Sequence, residues 1–293
     1  MDDAIRFIAQ SHPAFPARLR EIAKIPDGIY VRGGAPVEML GRDMIAIVGT
    51  RRATPDGNRI AEHFGRELAR AGLGIVSGLA LGIDAAAHEG AVEARGFSVA
   101  VLANGVDRIY PNTNARLGER ILQSGGMIIS EYPPGEPVYK YRFLERNRIV
   151  SGLARGVLIV EAPESSGSLA TASFALEQNR DVFVVPGSIS HPNFRGANQL
   201  IRQGAELVTK PEDILEAYNL ERRPKHAAEN YRGSSEETLI LQALAKAGRP
   251  PDVDKISLMT KLEPRIVNRA ITFLILNRAV IESEGGYILE TSF

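Results

Sequence analysis

The stretch Met44-Ile-Ala-Ile-Val-Gly-Thr-Arg-Arg-Ala-Thr-Pro-Asp-Gly57 reads as a buried β-strand, a glycine turn and the start of a helix. Ile45 to Val48 has no polar alternation, as a strand covered on both faces requires. Thr54 is placed to cap a helix, Pro55 suits its first position, and Ile60, Phe64 and Leu68 continue it to a stop at Gly72. Thr50 to Ala53 therefore form a strand-to-helix loop. In an open parallel sheet such loops lie at the carboxyl edge of the strands, where ligands collect and helix N-termini favour anions. A dinucleotide fold would need Gly-x-Gly-x-x-Gly there to admit a pyrophosphate, and Gly49 alone does not supply it, so NAD is disfavoured. The loop carries Arg51 and Arg52 instead, whose planar, permanently charged guanidinium groups suit phosphate oxygens. The competing reading of either arginine is an exposed loop charge.

The same alternation continues outward from this unit. Short apolar runs at 45–48, 74–77, 98–102, 127–129, 157–160, 182–185 and 206–208 alternate with amphipathic stretches and glycine-bearing turns, which predicts a doubly wound, largely parallel α/β sheet. The segment before it, with His12-Pro13, Phe15-Pro16 and Ile29-Tyr-Val31, reads as a short-stranded lead-in packed on that sheet. Residues 221–235 are charged, broken by Pro224 and Gly233, and lack an apolar face, so they read as a linker after a first domain of residues 1–220. Residues 236–293 then show three helical stretches, the third opened by Pro264, and a hairpin across Gly285-Gly286. That is the order of a winged helix.

Composition narrows the function classes. The 293 residues are 44% hydrophobic, ample for a large core, and contain no cysteine, which excludes disulfides and thiolate metal sites and favours a cytoplasmic setting. The longest apolar runs are strand-sized, far short of the roughly 20 residues that cross a bilayer, so no membrane partner is expected. With 35 basic and 35 acidic residues, a polyanion would have to be held by a local patch.

Four further stretches carry candidate chemistry. Ser77-Gly-Leu-Ala-Leu-Gly-Ile-Asp-Ala-Ala-Ala-His88 follows a strand and opens a helix, with Asp84 in its first turn and His88 one turn later on the same face. Asp84 reads as a partner of the helix N-terminus and His88 as a hydrogen-bonded interior residue; one His and one carboxylate are too few for a metal. In Arg146-Asn147-Arg148-Ile-Val150 the helical period puts Arg146 on the buried stripe and Arg148 about 200° away. An inward arginine needs a carboxylate or an anion, and Glu131 and Glu161, each ending a strand, compete with a phosphate for that place. Ser166, Gly167 and Ser168 begin another helix as an anion nest or as an ordinary cap. The long loop from Pro186 to Leu200 lies at the same edge and supplies Arg195 and Asn198. Arginine, serine and glycine donors without a positioned nucleophile suit binding of a phosphate chain more than catalysis, and call for no cofactor.

In order along the chain, Gly49-Thr-Arg, Ser77-Gly-Leu-Ala-Leu-Gly-Ile-Asp with His88, Gly105-Val-Asp-Arg-Ile-Tyr-Pro111, Arg146-Asn-Arg-Ile-Val-Ser-Gly-Leu, Ser166-Gly-Ser-Leu-Ala-Thr-Ala and Gly196-Ala-Asn-Gln-Leu-Ile resemble the motifs of the DprA/Smf DNA-processing family. The match runs from about His12 to Ala217. The resemblance implies an extended Rossmann-like domain that is not an enzyme, binds and protects incoming single-stranded DNA, forms a homodimer and loads the RecA recombinase in natural transformation. By motif it places Gly49, Thr50, Arg51, Arg146 to Arg148 and Ser166 to Ser168 on the DNA backbone; Arg52, Arg195 and Asn198 join them from the loop reading.

The chain departs from the family pattern at Leu144, where relatives commonly have proline in Phe-Pro-x-Arg-Asn-Arg. Some relatives also carry an N-terminal helical domain, which the roughly ten residues before His12 cannot make, so it is expected to be absent or to have been removed. From Glu236 onward seven basic residues face eight acidic ones, an unusual balance for a free-standing DNA reader, although Arg265 and Arg269 share one helix face. Two rival readings follow. One is a phosphoribohydrolase of the LOG type acting on nucleoside monophosphates, whose Pro-Gly-Gly-x-Gly-Thr loop is replaced here by Glu164-Ser-Ser-Gly-Ser-Leu-Ala-Thr. The other is a nucleotide-sensing regulator that reads duplex DNA with its winged helix.

Overall fold

In the computed structural model Met44–Val48 (β3) is an inner strand of a nine-stranded sheet. Residues 5–220, 234–247, 250–277, 279–283 and 285–289 are described. The chain divides into two units, Met1–Glu221 and Arg222–Phe293.

In the first unit, β3 is followed by α1 (Pro55–Arg70), β4 (Gly74–Ser77), α2 (Ile83–Glu93) and β5 (Ser98–Val101). Next come α3 (Ala115–Gln123), β6 (Met127–Ser130), α4 (Lys140–Leu153), β7 (Gly156–Ile159) and α5 (Gly167–Glu177). The unit closes with β8 (Asp181–Val184), α6 (Arg195–Arg202), β9 (Glu206–Leu207) and α7 (Pro211–Ala217). Strands β3 to β9 are parallel, and they run β6-β5-β4-β3-β7-β8-β9 across the sheet. The chain thus steps from β3 outward to β6, then crosses back to β7 on the other side of β3. That reversal is a topological switch point, the place where loops on the carboxyl edge part and leave a crevice.

The lead-in packs on the sheet through Phe15, Leu19 and Ile22, and its short strands also extend it: Gly28–Arg32 (β2) lies antiparallel to β6 and Arg6–Ala9 (β1) antiparallel to β2. Ile29 and Val31 are fully buried on one face of β2, which gives that strand an inward side in the same core as Met44, Ala46 and Val48. Successive residues of β3 serve opposite layers: Ile45 and Ile47 pack instead against Phe64 and Leu68 of α1. Helices α1 and α2 pack at glycines, where a methyl on Gly65 or Gly90 would meet the backbone of Ala87 or Glu62. Side-chain knobs there would push the two helices apart.

In the second unit, α8 (Ser235–Lys246), α9 (Val253–Thr260) and α10 (Pro264–Leu276) precede a hairpin of β10 (Val280–Ser283) and β11 (Gly286–Leu289). Ser234 and Glu237 form a reciprocal capping box at α8, so its start is fixed by side chains on both sides of the boundary. Val267, Ala270, Ile271 and Leu274 face the core, leaving Arg265 and Arg269 exposed. The hairpin turn falls one residue earlier than expected, since Gly286 already pairs with Ser283. The linker expected over 221–235 lies outside the described residues except for Ser234 and Ser235, which belong to the start of α8. No described helix is long and apolar enough to cross a membrane.

Candidate functional site

At the switch point the loops after β3, β4 and β7, together with the first turns of α4 and α5, enclose a groove of about 480 Å³. Gly49, Thr50, Arg51 and Arg52 line it from the β3–α1 loop, Ser166, Gly167 and Ser168 from the start of α5, and Arg146 and Asn147 from α4. Nine of the sequence-derived candidates are therefore brought together. The β3–α1 loop is held from both sides: the Thr50 N–H donates to the Glu161 carbonyl at 2.7 Å, and the Thr50 carbonyl accepts from Ile83 N–H at 3.3 Å.

Glu161 is the brace of this loop. Its carboxylate is fully buried and accepts from the Thr54 N–H at 3.1 Å, the Thr54 hydroxyl, and the Asn193 side-chain amide at 2.8 Å. Asn193 also donates to the Arg52 carbonyl at 2.9 Å, so the β8–α6 loop clamps the β3–α1 loop. The sequence suggested Glu161 as partner for an arginine; amides and a hydroxyl occupy that role instead.

Arg51 and Arg52 are exposed. Among the described residues Arg51 has no carboxylate partner, and its guanidinium carbon lies 4.8 Å from the centre of the Phe143 ring. The same ring has the Arg146 guanidinium at 6.0 Å and Tyr110 at 6.0 Å. One phenyl ring thus lies near two cations on the groove wall, whose mutual repulsion a bound anion would relieve.

Arg146 forms the floor. It is 4% exposed and donates from Nη1 to the carbonyls of Gly78, at 2.7 Å, and Val101, and from Nε to Asn147 at 3.4 Å. The expected carboxylate or anion is replaced by backbone carbonyls, with Asp84 supplying a nearby charge. Burial pulls the guanidinium down to about 10; Asp84 acts against that shift and Arg51 adds to it. Burial likewise raises the Asp84 carboxyl, against the Arg146 charge and the N–H groups of Ala80 and Gly78, which donate at 3.4 and 3.0 Å. Gly78 is required here: a Cβ would lie 2.5 Å from the Arg146 guanidinium carbon.

Arg148 is a correction. Its turn of the helix carries it away from the groove, where Nη1 and Nη2 grip both oxygens of Glu131 at 2.8 and 2.7 Å and Nε donates to the Lys24 carbonyl at 3.0 Å. A buried, bidentate pair leaves no donor for DNA. Asn198 is also structural: its side chain exchanges hydrogen bonds with the backbone of Gly187 at 3.3 and 3.0 Å. Arg195 is exposed at the start of α6 but does not line the groove.

Ser166 caps α5, accepting from the Ser168 N–H at 3.3 Å and sharing a hydroxyl contact with Ser168 at 2.6 Å. Asn147 ties this turn to α4 by donating to the Gly167 carbonyl at 3.2 Å. The positive end of α5 therefore opens into the groove. Lys140, Phe143 and Leu144 also line it and were missed as site residues. Their signal was the helical spacing 140, 143, 144, 147, which puts them on one stripe with Asn147. Leu144 sits inside α4, where a proline would remove an interior N–H; the helix accordingly begins at Lys140 and carries these residues into the groove wall.

His88 lies behind the site, fully buried, with Nδ1 2.8 Å from the Ser98 hydroxyl. Burial, and then the Arg146 charge, pull its pKa from 6.5 down to about 3. The folded imidazole stays neutral, whereas the unfolded one takes a proton below pH 6.5. Its stability contribution is complete above that pH and shrinks on acidification, by about 2 kcal/mol at pH 5. Urea unfolding of wild type and His88→Leu at pH 7.5 and pH 5 is expected to show a smaller acid loss in the variant. Equal losses would assign the acid sensitivity elsewhere.

With this geometry in view, the family model described as DNA recombination-mediator protein A matches residues 6–219. The chain belongs to that family. The recombination-mediator match covers the whole described part of the sheet unit except its outermost residues. Protein Smf of Escherichia coli is 46% identical over 202 residues, 69% of this chain and 54% of that protein, so the chain spans about half the length of that relative. DNA processing protein DprA of Bacillus subtilis is 40% identical over 215 residues, 73% of this chain and 72% of its own. The X-ray structure of DprA from Streptococcus pneumoniae superposes with a TM-score of 0.68 at 39% identity, covering 72% of this chain and 74% of that one. DNA processing protein A from Helicobacter pylori, whose structure addresses its single-stranded DNA binding mode, has a TM-score of 0.66 at 30% identity, covering 74% and 97%.

Proposed function

We propose that the groove binds single-stranded DNA by its phosphate chain without cleaving it. The observation that carries this reading is the pair Arg51 and Arg146 on one Phe143 ring, facing the N-terminal turn of α5. Exposed Arg51 and Lys140 supply donors, Arg146 supplies a fixed charge, and the N-terminal end of α5 adds a partial one. Phe143 brings an aromatic ring to the groove wall, a contact for unpaired bases that duplex DNA would keep stacked within itself. The single-strand binding described for the Helicobacter pylori relative supports the same assignment. Protection of incoming DNA, loading of the RecA recombinase and a homodimeric assembly in the cytoplasm belong to this proposal, supported by the recombination-mediator family.

Asp84 is the only carboxylate among the described groove-lining residues, and Gly78, Ala80 and Arg146 already engage it. That gives the phosphoribohydrolase reading no support. The proposal is tested by fluorescence anisotropy of a labelled single-stranded oligonucleotide, titrated at two salt concentrations with matched duplex as competitor. Three or four phosphate contacts predict a slope of about −2 to −3 in log affinity against log salt. Duplex is expected to compete at least about tenfold more weakly than unlabelled single strand. Salt-insensitive binding, or duplex competing equally, would defeat the assignment and favour the duplex-reading alternative in the latter case.

A further inference from the structure

We propose that Tyr139 and Tyr141 form a shelf on which bases of the same single strand stack after it leaves the groove. This rests on the groove reading above. The two rings lie 5.8 Å apart, nearly parallel at 22°, and are 46% and 59% exposed. They flank Lys140, which lines the groove, so each ring begins one Cα step of about 3.8 Å from a groove residue. Ring, cation and ring in succession match a strand that alternates base and phosphate.

The shelf is fixed from beneath. The Arg142 guanidinium carbon lies 4.0 Å from the centre of the Tyr132 ring and 4.7 Å from that of Tyr139. It pairs with Glu136 at 2.8 Å and donates to the Pro137 carbonyl at 3.1 Å. Tyr132 in turn donates its hydroxyl to Glu145 at 2.8 Å. Arg142 is thus an internal anchor, its charge matched by Glu136, beside two tyrosine rings that remain exposed. Rings held in this way lose little freedom when a base lands on them. Helical rotation turns Tyr141 away from Phe143, by about 200°, so the two aromatic surfaces meet different nucleotides.

The test uses the full chain with labelled mixed-sequence oligonucleotides of about 4 and about 16 nucleotides, the range that single-strand sites span. Tyr139→Ala with Tyr141→Ala is compared with the Tyr→Phe pair and with wild type. On the long strand the alanine pair is expected to bind roughly tenfold more weakly, while the phenylalanine pair retains wild-type affinity. On the short strand all three are expected to agree. Wild-type affinity of the alanine pair for the long strand would overturn the shelf while leaving the groove intact. An equal loss at both lengths with a lowered Tm, or an equal loss in the phenylalanine pair, would also overturn it. A wild type that binds neither length would remove the groove reading and the shelf with it.

Discussion

Arg146→Met is expected to lower the unfolding free energy of the N-terminal unit by about 3–5 kcal/mol, the cost of leaving two carbonyls without their donor and a buried carboxylate without its neighbouring cation. The guanidinium holds the carbonyls of Gly78, just after β4, and of Val101, the last residue of β5, and its charge acts on the buried Asp84. Methionine fills part of the volume but leaves those carbonyls without a donor and Asp84 without its neighbouring cation. For a unit of this size the loss corresponds to a Tm lower by roughly 10 °C. Asp84→Asn in the same background removes the stranded charge and is expected to return part of the loss. Lysine is not an adequate substitute, because one ammonium cannot reproduce the planar set of donors. Chemical denaturation of the single and double variants measures both effects. An unchanged midpoint in Arg146→Met would mean that the floor of the groove does not depend on this side chain, and any binding loss in it could then be read as direct.

Arg51→Ala is expected to do the reverse, weakening single-stranded DNA binding by about 10- to 150-fold with little change in stability. The range is that of one charge-assisted hydrogen bond, about 1.5–3 kcal/mol, converted to affinity. Arg51 is exposed and makes its close contact with the Phe143 ring, so its removal opens no cavity in the core. It also relieves the repulsion felt by Arg146, which makes a modest gain in stability compatible with the loss of binding. The magnitude of the salt slope is expected to fall by about 0.7, the share of one phosphate contact on a single strand. Anisotropy at two salt concentrations, paired with a melting curve, separates this variant from Arg146→Met. Full affinity in Arg51→Ala would move the phosphate path to Lys140 and the α5 terminus.

The strands were legible because burial on both faces writes itself as unbroken apolar runs, and the series of such runs beginning with Met44–Val48 marked the sheet and its ligand edge. The cap at Thr54 was legible for a similar reason, being local. The helical period gave the two arginines after Phe143 different tasks without fixing the partner of either. Periodicity turned Arg148 away from Arg146, but only the fold placed Glu131 opposite its fork and Gly78 and Val101 opposite the other. Backbone carbonyls have no sequence signature, so the carboxylate sought for Arg146 among strand-ending glutamates was not the partner found. Glu161 illustrates the converse: its position was noted, yet its partners Thr54 and Asn193 are 107 and 32 residues away in sequence. Asn198 looked like a ligand donor because its bond to Gly187 is made by a loop whose course no local pattern reveals.

That long-range brace bears on how the chain can change over descent. Thr54, Glu161 and Asn193 meet at one carboxylate, so their substitutions are not independent. A lineage that loses the carboxylate at 161 removes the reason to keep threonine at 54 and asparagine at 193. One that alters either partner first leaves a buried acceptor short of a donor. The three positions are therefore expected to be inherited or replaced together, as a single heritable character.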